Sequence, residues 1–218
     1  MYLETYIYLT ILLLGSVIGM LRWKHLSTPF KLVGALIAIT FLEESFIHFS
    51  DVTADTTPHI YRAYTLTAFS LYYLSYYFIS KIKILKIVSL LSIGLLVILS
   101  ILGIFTFESS ASFPSTQIFV ASSFLILCTM LGFYQMLLFP NQERLKKSSL
   151  FLYISFNLIY WTVSLVYIGA FDTMIRLNIE IGPFTDVHSI LGILYYLGLA
   201  YVLYLDRYYP STSISARL

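Results

Sequence analysis

The sequence predicts an all-α polytopic membrane protein, a seven-transmembrane-helix bundle formed by residues 1–218 as a single domain. Three observations carry this. Seven apolar stretches recur, each about the 20 residues a helix needs to cross a hydrocarbon core of roughly 30 Å. The short connections between them alternate between basic and acidic. The composition, 11% charged and 17% aromatic with a mean hydropathy of +0.84, is unlike that of a soluble domain. In lipid every backbone N–H and C=O must pair within its own segment, which makes these stretches helices.

The expected spans are 6–21, 32–50, 60–80, 84–106, 117–139, 149–170 and 187–205. Span one carries Gly15 and Gly19, a small-xxx-small pair of the kind that lets helices approach closely. With no basic leader and no small-residue cleavage site before it, it is expected to stay as a permanent span and to act as the targeting signal. Pro29, Pro58, Pro114, Pro140, Pro183 and Pro210 all fall outside the spans, and five of them mark five of the six connections. The remaining connection, between spans three and four, is interrupted only by Lys81, Lys83 and Lys86, so a tight turn is expected there. In the sixth connection Leu177, Ile179 and Ile181 alternate with Arg176, Asn178 and Glu180, a period of two that predicts an extended segment over Met174 to Ile181, placed to act as a lid or to lie at the interface. The tail from Tyr209 to Leu218 has no periodicity.

Orientation follows from the 13 Lys and Arg residues. Arg22, Lys24 and Lys31 occupy the first connection, Lys81, Lys83 and Lys86 the third, Arg144, Lys146 and Lys147 the fifth, and Arg207 and Arg217 the tail; only Arg62 and Arg176 fall on the other side. By the positive-inside rule the N-terminus is outside and the C-terminus cytoplasmic. The expected location is the bacterial cytoplasmic (inner) membrane, multi-pass, with membrane lipids as partners. The net charge of +2 reflects this bias and does not point to nucleic acid.

The single Cys128, in span five, excludes an internal disulfide and a cysteine metal cluster. There is no nucleotide-binding glycine loop, kinase signature or repeat. Tyrosine is the conspicuous bias. Tyr2, Tyr6, Tyr8, Tyr76, Tyr77, Tyr208 and Tyr209, with Trp23, fall near expected interfaces, where amphipathic rings anchor helices. Tyr72, Tyr73, Tyr160, Tyr195 and Tyr196 lie deeper and require hydrogen-bond partners.

The residues able to carry chemistry concentrate in the outer half of the bundle. Glu43 and Glu44 lie inside span two, where ionisable groups are costly and face the interior or water. Glu44 and His48, four apart, share a helix face; Glu43 points about 100° away. His59 and Arg62 open span three, and Asp186 and His188 open span seven. Asn157, with Tyr160 and Trp161 three and four residues on, is either a polar clamp between helices or the floor of a ligand pocket. Glu43, Glu44, His48, His59, Arg62, Asn157, Tyr160, Trp161 and His188 are therefore the candidate ligand-binding residues. His48, His59 and His188 approach one rim, and with Glu44 they form the set that would hold zinc if they converged. No HExxH or HxxxH spacing supports such a cluster, so no cofactor is expected.

The segments LRWKHLSTPFKL, FLEESF, HIYRAYTL, NLIYW and VHSILGILYYL together resemble a group of small seven-helix bacterial membrane proteins of the Bacteroidetes type, over nearly the whole chain; this implies topology rather than activity. The polar zones also resemble, incompletely, the superfamily that includes alkaline ceramidases, adiponectin receptors and haemolysin III, whose metal ligands lie at the end of helix two, near helix three and at the start of helix seven. Here those zones hold Glu44 and His48, His59, and His188. Gly192 stands four residues after His188, where that superfamily has a second histidine, and Glu44 stands where a serine is expected.

The expected function is the sensing or binding of a small or lipidic ligand in an outward-facing polar cavity, with any signal passed to a separate effector. The alternatives are a membrane-embedded metal-dependent hydrolase acting on a lipid or amide, through a zinc-bound water and a carboxylate base, and a small transporter. The absence of Pro-broken helices and inverted repeats weighs against the transporter.

Overall fold

A computed structural model describes residues 3–50, 56–102, 115–139, 148–177 and 182–208. Among them are seven helices and no strand: α1 (Leu3–Arg22), α2 (Thr28–Phe49), α3 (Thr57–Ile79), α4 (Lys83–Leu102), α5 (Ser115–Leu138), α6 (Ser149–Arg176) and α7 (Gly182–Tyr208). All but α3 are long and apolar enough to cross a membrane. The exception has a physical cause. α3 packs against α2, α4 and α5, and it buries Tyr72, Tyr73, Tyr76, Thr65 and Ser75, so its hydroxyl-rich sequence suits an interior helix better than a lipid-facing one.

Helices adjacent in sequence pack against each other, and α1 closes the bundle by packing on α7 as well as α2. The outer faces remain apolar. α4 is the clearest case: it buries Leu85, Ser89, Ser92 and Leu96, a stripe at helical spacing, while Leu90, Leu91, Ile98 and Ile101 are exposed. Close approach of α1 and α2 depends on two glycines. A Cβ on Gly19 would lie 3.3 Å from the Cα of Gly34, and one on Gly15 would lie 3.0 Å from the Ile37 side chain. The Gly15 and Gly19 pair therefore packs within the chain, against α2 and α7.

The helices begin earlier than the prolines suggest. Pro29, Pro58 and Pro183 are the second residues of α2, α3 and α7. The missing N–H of proline costs nothing in a first turn, where that donor has no intrahelical partner. A second correction concerns the sixth connection, because α6 continues through Arg176, making Met174–Arg176 helical rather than extended. Leu177 forms a turn, and the rest of that segment, 178–181, lies outside the described residues, as do Pro114, Pro140, Pro210 and the tail.

The tight α3–α4 connection is built by a side chain from α5. Gln135 Oε1 accepts from the Lys81 N–H at 2.6 Å and the Ile82 N–H at 3.3 Å, and its Nε2 donates to the Ile79 carbonyl at 3.3 Å. A buried amide thus satisfies backbone groups that the turn leaves without helical partners. At the same end of the bundle Asp206 of α7 is almost fully buried and ties two helix starts together. Its carboxylate accepts from the Ser27 N–H at 3.0 Å, the Ser27 hydroxyl at 3.1 Å and the Ser149 hydroxyl at 3.3 Å. Arg22 stacks over the Tyr204 ring at 4.3 Å beside it.

Candidate functional site

The opposite end of the bundle, where α1 and α7 begin and α2 ends, opens into a cavity of about 750 Å³. Glu4, Thr5 and Tyr8 line it from α1, Glu44 and His48 from α2, Tyr160 from α6, and the first turns of α7 contribute Asp186, His188 and Gly192 among others. Helical periodicity explains who participates. Glu4 and Tyr8, like Glu44 and His48, are four apart and share a face, and Asp186, Ser189 and Ile193 repeat at intervals of three and four.

Within the wall, His48 Nε2 stands 3.7 Å from Glu44 Oε2, and both side chains retain some exposure to the cavity. His188 is held by aromatic stacking. Its ring lies parallel to that of Tyr167 (4.4 Å between centroids, planes 4° apart) and is stacked at 5.9 Å on Tyr160. Tyr160 in turn stacks on Tyr195 at 4.1 Å with the planes 9° apart. The His188 Nδ1 atom is buried and has no hydrogen-bond partner among the described residues.

Beneath this stack lies a buried polar network. Asn157, fully buried, donates from Nδ2 to the Tyr153 carbonyl at 2.8 Å; its Oδ1 accepts from the Tyr195 hydroxyl at 3.0 Å, and that hydroxyl shares a hydrogen bond with Tyr72 Oη at 2.7 Å. Tyr73 donates to the Ala121 carbonyl at 2.7 Å. A second hydroxyl group of contacts joins Thr40, Tyr64 and Tyr196, with Tyr8 edge-on to Tyr196 at 5.7 Å. Tyr72, Tyr73, Tyr195 and Tyr196 thus have the partners their burial demands.

Of the candidate ligand-binding residues, Glu44, His48, Tyr160 and His188 meet in the cavity wall, joined by Asp186. The others stand elsewhere. Asn157 lies below, in the network joining α6, α7 and α3. Trp161 turns from the cavity onto Phe69 (4.7 Å) and Tyr72 (5.7 Å). Glu43 is buried, with no hydrogen-bond partner for either carboxyl oxygen among the described residues. His59 is exposed at the start of α3, and Arg62 is buried one turn further on. Among the described residues no group of three or more His, Cys, Asp or Glu side chains is arranged to hold a metal ion, so Glu44, His48, His59 and His188 do not assemble as a zinc ligand set there.

Glu4, Thr5 and Tyr8 did not emerge as site residues from the sequence, where Tyr8 reads as an interfacial anchor. The available signal was the Glu4–Tyr8 spacing, which places a carboxylate and a phenol on one face; that this face meets α7 is a property of bundle closure. Tyr76 is a second anchor that proves internal. It is fully buried, bonds Thr129 Oγ1 at 3.0 Å and packs on Tyr153 at 5.5 Å. Tyr77, about 100° round the helix, remains partly exposed beside Lys86.

Compared with known proteins, the chain matches no protein-family model, and no curated protein or solved structure shows significant similarity to it.

Proposed function

We propose that the chain is a seven-span protein of the bacterial cytoplasmic membrane, N-terminus outside and C-terminus inside, that binds or senses a small or lipidic ligand in the cavity between α1, α2, α6 and α7. The observation that carries the reading is the cavity itself. It is of the size that holds a small molecule, concave, walled by aromatic rings and supplied with a few convergent polar groups. Its orientation is supported by charge: Arg22, Lys24, Lys31, Lys81, Lys83 and Lys86 lie at or near the helix ends and turns of the far end, which by the positive-inside rule is cytoplasmic. The seventh span in this reading is α3, enclosed by neighbouring helices and so able to carry its polar residues through the bilayer. The stack from His188 through Tyr160 to Tyr195 connects the cavity to the network between α3, α6 and α7, a physical link through which a bound ligand can bias helix packing. A separate cytoplasmic effector would receive that change.

Trp161, 5.1 Å from Tyr160, is a built-in reporter. In a Trp23→Phe background its fluorescence, titrated with small amines, carboxylates, sugars and short-chain phospholipids, should show a saturable response to at least one class, lost in Gly192→Leu. No saturable response to any class would overturn the reading.

A further inference from the structure

The lining of the cavity has a one-sided charge. Glu4, Glu44 and Asp186 enter it from three different helices, and among the described residues no Lys or Arg lines it. The two histidines do not reverse this balance: His48 is turned to Glu44, and His188 has Tyr167 and Tyr160 stacked on its ring. Resting on the reading of this cavity as a ligand site, we propose that its ligand is an organic cation, an amine or quaternary ammonium group carrying an apolar substituent.

Each alternative chemistry meets a specific obstacle. An anion would stand among three carboxylates with no Lys or Arg of the described lining to offset them, and like charges repel. A neutral ligand filling the space would strip water from those carboxylates and offer no charge in return. A bare metal ion is far smaller than a cavity of about 750 Å³, and no set of three ligands is arranged to grip one among the described residues. An organic cation answers all three features, because its charge faces the carboxylates while its substituent fills the remaining volume.

The aromatic part of the wall fits the same ligand. Tyr160 is covered by Tyr195 and His188, so it offers its edge and hydroxyl. Tyr8 packs edge-to-face with Tyr196 and borders the space beside α7. Gly192 borders that space: among the described residues a Cβ there would meet only Tyr8 Cε2, at 3.9 Å. A cation seated between Gly192 and the carboxylates has the Tyr8 ring as a partner, an interaction worth more in a desolvated site than at the surface.

The test uses the full chain in zwitterionic nanodiscs and three probes of similar size titrated by calorimetry: benzyltrimethylammonium, phenylmethanesulfonate and N,N-dimethylbenzamide. The cation is expected to bind saturably and the sulfonate to give no heat of binding. Glu44→Gln and Asp186→Asn, which preserve side-chain shape, should each weaken the cation at least tenfold, and Gly192→Leu should remove it. Sulfonate or amide binding as tightly as the cation would overturn the cationic assignment while leaving the cavity as a ligand site. Cation binding unaltered by all three substitutions would also overturn it, by locating the probe elsewhere. If none of the three probes binds, both the assignment and the ligand-site reading fall.

Discussion

The Tyr195 hydroxyl of α7 lies 3.0 Å from Asn157 Oδ1 of α6, fully inside the bundle and directly beneath the ring stack that ends at the cavity. This contact fixes α7 against α6 at the depth where the cavity floor is formed. Tyr195→Phe keeps the ring and its stacking but leaves the buried Asn157 oxygen without its donor. It should destabilise the protein by about 1–3 kcal/mol, the range for an orphaned buried polar group. Thermal unfolding in detergent, followed by helical circular dichroism, measures this; an unchanged midpoint would mean that another donor replaces the hydroxyl.

Gln135→Leu tests the α3–α4 turn in the same manner. The substitution removes the acceptor for two backbone N–H groups and the donor to the Ile79 carbonyl. A loss of about 1–3 kcal/mol or more is expected, with cleavage by an added protease appearing first at the Ser80–Ile82 connection. Wild-type resistance to proteolysis there would contradict the clamp.

Two glycines should respond in opposite directions. Gly19→Leu forces a branched side chain into the α1–α2 contact, where even a Cβ lies 3.3 Å from Gly34 Cα, and overpacking of this kind costs about 1–3 kcal/mol. Gly94→Ala meets nothing within 4 Å and should stabilise α4 by up to about 1 kcal/mol through helix propensity. Measuring both by unfolding in one detergent checks the packing against an internal control.

The helices were legible because lipid imposes one length and one hydrogen-bonding solution, and a run such as Lys83–Leu102 has no other way to meet them. Their exact starts were not, since Pro29, Pro58 and Pro183 look like breakers in sequence and are good first-turn residues in structure. The alternation over Met174 to Ile181 predicts an extended segment, but α6 continues through Arg176, and 178–181 lie outside the described residues. The polar residues of α2, α6 and α7 stood out because charge is rare in such segments. The α1 wall did not, because which face of α1 meets α7 depends on ring closure between the two ends of the sequence. Asn157 and Trp161 share a face with Tyr160 in sequence, yet only Tyr160 reaches the cavity; three residues of helix are enough to separate a floor residue from the clamp below it.

Glu44 should separate binding from folding. Its contact with His48 is a partly exposed pair at i,i+4, of a type worth about 0.3–0.5 kcal/mol, so Glu44→Gln should unfold within about 0.5 kcal/mol of the parent. Its response to cavity ligands in the Trp161 fluorescence titration should fall sharply. Loss of stability with retained binding would assign Glu44 to the fold instead.

The central claim is that the cavity faces outward, and cysteine accessibility in intact cells tests it most directly. Cys128 is buried and provides a silent background. Ser189→Cys, in the cavity wall, and Asp55→Cys should react with a membrane-impermeant maleimide added outside, whereas Ser213→Cys should react only after permeabilisation. Labelling of Ser213→Cys from outside, with Ser189→Cys and Asp55→Cys protected until the membrane is opened, would invert the protein and contradict the account.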